Sequence, residues 1–241
     1  MTGETLLDLI VLAGGKGTRL RTVLPDMPKV LAPINGKPFL DIILAFINRY
    51  ISIKKVILAV GYKSEMIIKR YKNCQQYGFD ILFSQERQLL GTGGAIKKAL
   101  AISDTEQVLV MNGDTFVEID IGDLVRLHKK NNASITIALK ETDDAARYGS
   151  VQIDDNKRVV FFGEKEAGNV RGLINAGVYL INKGLFDNVE SGRVFSFEKE
   201  MLPELVGGNV YGYVVHGRFI DIGVPSTYDM AQEYLKEYSD R

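Results

Sequence analysis

The chain has 241 residues, with 30 lysines and arginines against 30 aspartates and glutamates, so its formal net charge is zero. That balance argues against nucleic acid or an anionic membrane as partner, because both select a strong basic excess, and it makes any anion site a local concentration of charge. The single cysteine, Cys74, lies in a polar stretch with no histidine nearby and reads as a spectator thiol; no apolar run reaches the ~18 residues of a membrane helix and no signal-peptide pattern opens the chain, so a cytoplasmic protein is expected.

Apolar runs at 5–13, 55–60, 80–84 and 107–111 are short and nearly continuous, as strands buried on both faces should be. Helical periods separate them: Phe39, Ile42, Ile43, Phe46 and Ile47 in one, Met66, Ile67 and Tyr71 in a second, Ala95, Ile96, Ala99 and Leu100 in a third. A further helix is suggested by residues 123–130. Such alternation demands crossover connections and a parallel sheet, with ligands at the carboxyl ends of the strands, where the turns after Ala13, Ser84 and Met111 fall. From about 133 onward the texture becomes β-rich, with runs at 134–139, 150–153, 159–162, 173–181 and 210–215 that should extend the sheet and wall a second ligand. A last helix is expected from Pro225 to about Glu237, with Tyr228, Ala231 and Leu235 on one face. No linker composition divides the chain, so residues 1–241 are expected to form one α/β domain, a Rossmann-like three-layer sandwich with a mostly parallel central sheet.

Four clusters carry chemistry. The first, I-V-L-A-G-G-K-G-T-R-L-R-T-V-L-P-D-M-P-K at 10–29, runs from a strand into a glycine-rich turn. Gly14, Gly15 and Gly17 let the backbone turn sharply and aim N–H donors at a polyanion, while Arg19 and Lys29 add permanent positive charge; a triphosphate fits. The spacing is neither a Walker loop, since Lys16 is followed by glycine, nor a dinucleotide fingerprint, since Leu20 stands where a third glycine is needed. The second, V-L-V-M-N-G-D-T-F at 108–116, offers Asp114 either as a hairpin turn residue or, at a parallel-strand edge, as a Mg²⁺ ligand beside phosphates. The third, F-I-D-I-G-V-P at 219–225, flanks Asp221 with isoleucines, where a carboxylate wants a cation. The fourth, S-Q-E-R-Q-L-L-G-T-G-G-A-I at 84–96, places glycines before an amphipathic helix, either as a helix-start turn or for close approach of a ligand. His128 and His216 have no acidic or serine partner near them in sequence and read as structural.

G-G-K-G-T-R-L, then P-K, then N-G-K-P-F-L at 35–40 resemble the signature of the sugar-1-phosphate nucleotidylyltransferases. That family joins a nucleoside triphosphate to a sugar 1-phosphate and releases pyrophosphate. The stretch from Pro25 to Asp41 is most similar to the branch using GTP and a manno-configured heptose 1-phosphate; Arg21-Thr22-Val23-Leu24, where many relatives carry proline and then threonine, leaves UTP or dTTP and another sugar, mannose included, as alternatives. The resemblance implies a nucleotide-binding half at 1–132 and a sugar-phosphate-binding half at 133–241. It implies Arg19 and Lys29 as catalytic cations, and Leu12, Ala13, Gly14, Gly15, Gly17, Thr18, Gln85, Gly91, Thr92 and Gly93 around the nucleotide, with Gln85 and the glycine loop against the base. It further implies Gly149, Glu164 and Asn175 as partners of sugar hydroxyls, Lys165 on the sugar phosphate, and Asp114 and Asp221 as ligands of the cofactor Mg²⁺. The expected partners are the two small-molecule substrates, and a homodimer is compatible with the chain. From another class, a non-catalytic sugar-nucleotide sensor would share the pocket, but it has no need to keep Arg19, Lys29, Asp114 and Asp221 together. A cytidylyl-type transfer to an alcohol phosphate is opposed by Glu164, Lys165 and Asn175.

Overall fold

The computed structural model describes residues 6–50, 52–143, 150–163 and 171–239. The first apolar run forms strand β1 (Leu7–Ala13), whose side chains alternate between two separate apolar clusters. Leu9, Val11 and Ala13 face one, and Ile10 and Leu12 face the other, so this strand is covered on both faces. A short hairpin of β2 (Pro33–Ile34) and β3 (Lys37–Pro38) follows, turning through Asn35 and Gly36, both at positive φ as an Asn-Gly hairpin turn requires. It leads into α1 (Phe39–Ile47), then β4 (Ile53–Val60), α2 (Ser64–Tyr71), β5 (Asp80–Gln85), α3 (Gly91–Leu100) and β6 (Gln107–Asn112). Strands β6, β1, β4 and β5 lie side by side in that order, all parallel, as the alternating pattern requires.

The chain then forms β7 (Thr115–Val117), α4 (Ile121–Lys130), β8 (Ile135–Thr142), β9 (Ser150–Ile153), β10 (Val159–Gly163) and β11 (Gly172–Asn182). Asp120 caps α4 by accepting from the Asp123 amide at 2.9 Å, and Lys129 and Lys130 complement the dipole at its far end. Beyond a π-helical turn at Phe197–Met201 come α5 (Leu202–Leu205), β12 (Val210–Val215), β13 (Phe219–Asp221), α6 (Pro225–Tyr234) and α7 (Lys236–Ser239). β11 runs antiparallel to β6 and joins the second half to the first, with β9 and β10 beyond it and β8 and β12 branching from it. One nine-stranded sheet therefore crosses the middle of the chain. Helices α1, α2, α4, α6 and α7 bury side chains in the cluster on one face, and α3 with Phe186, Phe195 and Phe197 in the cluster on the other, which gives three layers.

Two local expectations are corrected. The expected single C-terminal helix breaks at Leu235, whose backbone leaves the helical region (φ −107°) while its side chain is fully buried; α7 then turns Tyr238 onto Phe116, with ring centroids 4.7 Å apart. The glycines at 91–94 do not precede α3 but form its first turn. The hairpin alternative for Asn112-Gly113 is also set aside: β7 pairs with β13 and not with β6, and the Gly113 amide donates to the Leu12 carbonyl at 3.0 Å.

Candidate active site

The carboxyl ends of β1, β4 and β6 open into a cleft of about 270 Å³ lined by the glycine loop, Lys29, Glu86, the start of α3 and Asp114. The loop is built around its third glycine. Gly17 has φ +57°, and a Cβ there would come within 3.3 Å of Lys29 Cβ, so both its conformation and its neighbour disfavour a side chain. Leu20 donates its amide to the Gly17 carbonyl at 3.0 Å and buries its side chain, which closes the turn.

Lys29 starts a 3-10 turn behind Pro28 and reaches Asp114 at 2.6 Å, with its side chain 14% exposed and that of Asp114 36%. Eighty-five positions apart in sequence, this lysine and aspartate form the charged wall of the cleft. β-pairing brings the backbone of Asp221 beside that of Asp114: it lies opposite Thr115 in the β13–β7 ladder, and the Ile222 amide donates to the Asp114 carbonyl at 3.0 Å. Its own Oδ1 accepts from the Gly223 amide. Among the described residues no three histidine, cysteine or acidic groups cluster to make an all-protein metal cage. Asp114 in the cleft wall, with Asp221 on the strand paired beside it, would instead suit a hard divalent ion that takes most of its oxygens from phosphates and water.

Of the nucleotide residues expected, Leu12, Ala13, Gly14, Gly15, Gly17, Gly91 and Thr92 line the cleft. Thr18 and Arg19 are exposed on the loop and do not line the cleft, beside a turn that buries Leu20. Gln85 does not line the cleft: strand alternation turns it toward α2, where its Nε2 donates to Ser64 Oγ at 2.9 Å. Glu86, the next residue, takes the place in the cleft. Gly93 does not line the cleft either. Its amide donates to the Phe195 carbonyl at 3.0 Å, and a Cβ on it would lie 2.1 Å from the Phe195 ring. Close approach of the chain itself, not of a ligand, therefore accounts for this glycine. Thr92 spends its hydroxyl internally, bonding Glu198 Oε2 and accepting from the Phe197 amide at 2.9 Å.

Asn175 lies on β11 just before the register break that ends at Tyr179; it donates to the Tyr179 hydroxyl at 2.7 Å and accepts from the Gly177 amide at 3.0 Å. Tyr179 OH in turn donates to Glu198 Oε1 at 3.4 Å, so a polar chain links Asn175 to Thr92 at the cleft. Gly149, Glu164 and Lys165 lie outside the described residues. Sequence reasoning missed Asn112, Val30, Ala59, Leu89, Ala95 and above all Glu86 in the cleft lining. A signal for Glu86 existed in the period-2 pattern of S-Q-E, in which Ser84 and Glu86 are buried and Gln85 is exposed. Burial raises the Glu86 carboxyl above its ordinary 4.5.

A glycine loop and a lysine–aspartate pair at the carboxyl edge of parallel strands define an α/β protein of the phosphate-handling, nucleotide-binding class. The chain belongs to the nucleotidyl transferase family, whose model matches residues 9–237. It is 41% identical to the D-glycero-α-D-manno-heptose 1-phosphate guanylyltransferase of Aneurinibacillus thermoaerophilus, over 96% of this chain and 100% of that protein. To the protein of the same name from Campylobacter jejuni it is 42% identical, over 92% of this chain and 97% of the relative. Among solved structures it superposes on HddC from Yersinia pseudotuberculosis complexed with GMP-PN with a TM-score of 0.84 at 34% identity, covering 95% of this chain and 99% of that one. A glucose-1-phosphate thymidylyltransferase-like structure from Bacillus anthracis, 19% identical with a TM-score of 0.79, shares the fold. The chain is thus a sugar-1-phosphate nucleotidylyltransferase, and enzymes of this family generally use a divalent metal ion. Among the described residues no helix is long and apolar enough to cross a membrane.

Proposed function

We propose that the protein transfers a guanylyl group from GTP to D-glycero-α-D-manno-heptose 1-phosphate, giving the GDP-sugar and pyrophosphate. The observation that carries the reading is the Lys29–Asp114 pair facing the glycine loop across the cleft. The names of the 41–42% identical relatives support the choice of base and sugar.

In the reaction an oxygen of the sugar phosphate attacks the α-phosphorus in line, the bond from that phosphorus to the β-phosphate oxygen breaks, and pyrophosphate leaves with the electron pair. The nucleophile is already an anion, so the protein's task is to hold two repelling phosphates in position and to neutralise developing charge. The loop amides from Gly14 to Gly17 cradle the triphosphate, and the Lys29 ammonium stabilises charge at the α-phosphate. Arg19, exposed on the loop, reaches for the departing pyrophosphate, and Asn175 together with Gly149, Glu164 and Lys165 orients the sugar phosphate. Asp114 and Asp221 would hold Mg²⁺, which supplies positive charge shared between phosphate oxygens. The test is a crossed panel of four nucleoside triphosphates against heptose, mannose and glucose 1-phosphates, read as pyrophosphate release. GTP with the manno-configured heptose should be the best pair, and a decisive preference for UTP or dTTP would overturn the reading.

A further inference from the structure

A second cavity, of about 550 Å³, lies beside the far end of α3, against the turn that follows β11. That volume is within the range of small-molecule sites. Its rim is strongly basic for a chain of zero net charge: Arg87, Lys97, Lys98 and Lys183 line it against one carboxylate, Asp187. None of the four cations forms an ion pair among the described residues. Three of them are held by backbone carbonyls instead. Lys97 Nζ donates to Phe186 O at 2.7 Å, Lys183 Nζ to Ser103 O at 2.8 Å, and Lys98 Nζ to Gln85 O. Such a carbonyl takes one of an ammonium's three protons and fixes its position, leaving two donors and the full charge for a ligand. Asp104, whose carboxylate also feels Lys183, is already bonded to Lys55. Like charges gathered without counter-ions repel one another, and an anion bound among them relieves that repulsion.

We propose that this cavity is a regulatory site for a diphosphate group, and that filling it weakens binding of the nucleoside triphosphate in the cleft. Two linked phosphates match the excess of positive charge on the rim, and charge-assisted hydrogen bonds to ammonium and guanidinium groups are the strong ones. The group has two sources, free pyrophosphate and the diphosphate of a sugar nucleotide. This regulatory role rests on the proposed reaction, which makes both. Its coupling to the cleft runs through residues 86–92. Arg87 lines this cavity and also a smaller one with Lys16, Glu86 and Leu89, of which Glu86 and Leu89 belong to the cleft as well. An anion that engages Arg87 at the far side therefore withdraws its charge from the side where the triphosphate binds. The same anion bears on Ser191 and Gly192, and the segment they open is laced to the start of α3. The Phe195 amide donates to the Leu90 carbonyl at 3.0 Å, and a Cβ on Gly94 would collide with the Arg193 carbonyl. Gly91 and Thr92, which line the cleft, cannot shift without that segment.

The test counts binding sites for pyrophosphate and for GDP by equilibrium titration of the free enzyme. The wild type should bind the effector twice per chain, once in the cleft and once beside α3. The double variant Lys97→Met, Lys183→Met keeps both aliphatic stems and should bind it once. Two pyrophosphates per chain show that the free anion suffices, whereas two GDP beside one pyrophosphate show that the nucleotide-borne group is needed. A single site for each in the wild type overturns the proposal, a result that needs no variant to fold. A second site that survives in the double variant overturns its placement on these lysines. In steady-state kinetics the effector should raise the wild-type KM for GTP more steeply than in linear proportion, with kcat unchanged. Competition in the cleft and coupling from the second site act together there, and coupling of this kind is typically ~5- to 150-fold in affinity. The double variant should keep basal turnover and show a linear rise, as competition alone requires; a linear rise in the wild type overturns the regulatory role. An enzyme inactive across the crossed panel of substrates loses the functional reading whatever its stoichiometry, whereas an active transferase with one site loses the regulatory cavity alone.

Discussion

Lys29 and Glu86 lie in one cleft and show how differently buried charge is handled. Lys29 has a carboxylate at 2.6 Å, so its charge is compensated within the protein until phosphates arrive. Replacing it with alanine should leave the fold intact, because Asp114 is open to water, and should lower turnover ~10²- to 10³-fold, the loss typical of one transition-state donor. Steady-state kinetics beside a thermal melt separates the two effects, and a variant with near wild-type turnover would remove Lys29 from the chemistry. Glu86 forms no ion pair among the described residues, and burial, opposed in part by a hydrogen bond from the Leu90 backbone and by the charge of Lys98, raises its carboxyl above 4.5. The folded state therefore holds that proton more tightly than the unfolded chain. The associated stability is present below pH 4.5 and is lost as pH rises through the folded value. Glu86→Gln should accordingly match or exceed wild-type stability at neutral pH, with the gap closing on acidification, as denaturant midpoints at several pH values would record. Lys29 was legible from its spacing behind the glycine loop; Glu86 was signalled only by the alternation of Ser84-Gln85-Glu86, and its burial is a property of the folded environment.

At the scale of elements, two Asn-Gly pairs received opposite fates. Asn35-Gly36 makes a hairpin turn, whereas Asn112-Gly113 ends a central strand whose next segment pairs with β13 across a gap of about a hundred residues. Local turn chemistry permits both outcomes; tertiary pairing chooses. The first turn of α3 gives a second case. A methyl group on Gly93 would meet the Phe195 ring, so Gly93→Ala should cost ~1–3 kcal/mol through overpacking, which corresponds to a melting shift of roughly 2–4 °C per kcal/mol in a chain of this size. Calorimetry would check it, and a neutral result would mean that Phe195 moves aside freely. His128, at the end of α4, is the third. Its ring bridges Thr136 Oγ1 at 2.9 Å and Asn182 Oδ1 at 3.1 Å, tying the helix to β8 and β11. Burial lowers its pKa below 6.5, so the unfolded chain binds the extra proton first and stability should fall as pH drops below that value. Urea midpoints between pH 7.5 and pH 5 would follow the loss, and His128→Gln should flatten it.

Across the whole molecule, β11 is the strand that joins the two halves, because it runs antiparallel to β8 along one edge and to β6 and β9 along the other. The sheet places the phosphate loop and Asp114 in one half and Asn175 in the other, and the chain Asn175–Tyr179–Glu198–Thr92 connects the expected sugar side to the nucleotide cleft. Glu198→Gln should weaken that connection and raise KM for both substrates together, while Lys29→Ala acts chiefly on turnover. Product formation measured against each substrate in turn would tell the two apart, and a KM change confined to one substrate would show that the halves act separately.

Sequence alone determined the layer order, because short continuous apolar runs alternating with helical periods admit few arrangements other than a covered parallel sheet. It also determined the phosphate loop, since glycines, a lysine and an arginine crowded behind a buried strand have a chemical meaning that survives without coordinates. Tertiary structure decided which strand ends lie side by side and which side chains line the cleft. Asp221 joins Asp114 through a ladder formed far along the chain, and Glu86 rather than Gln85 enters the cleft by the phase of one strand. Both depend on register, and register is set by the energy of the whole packed sheet rather than by any local run of residues.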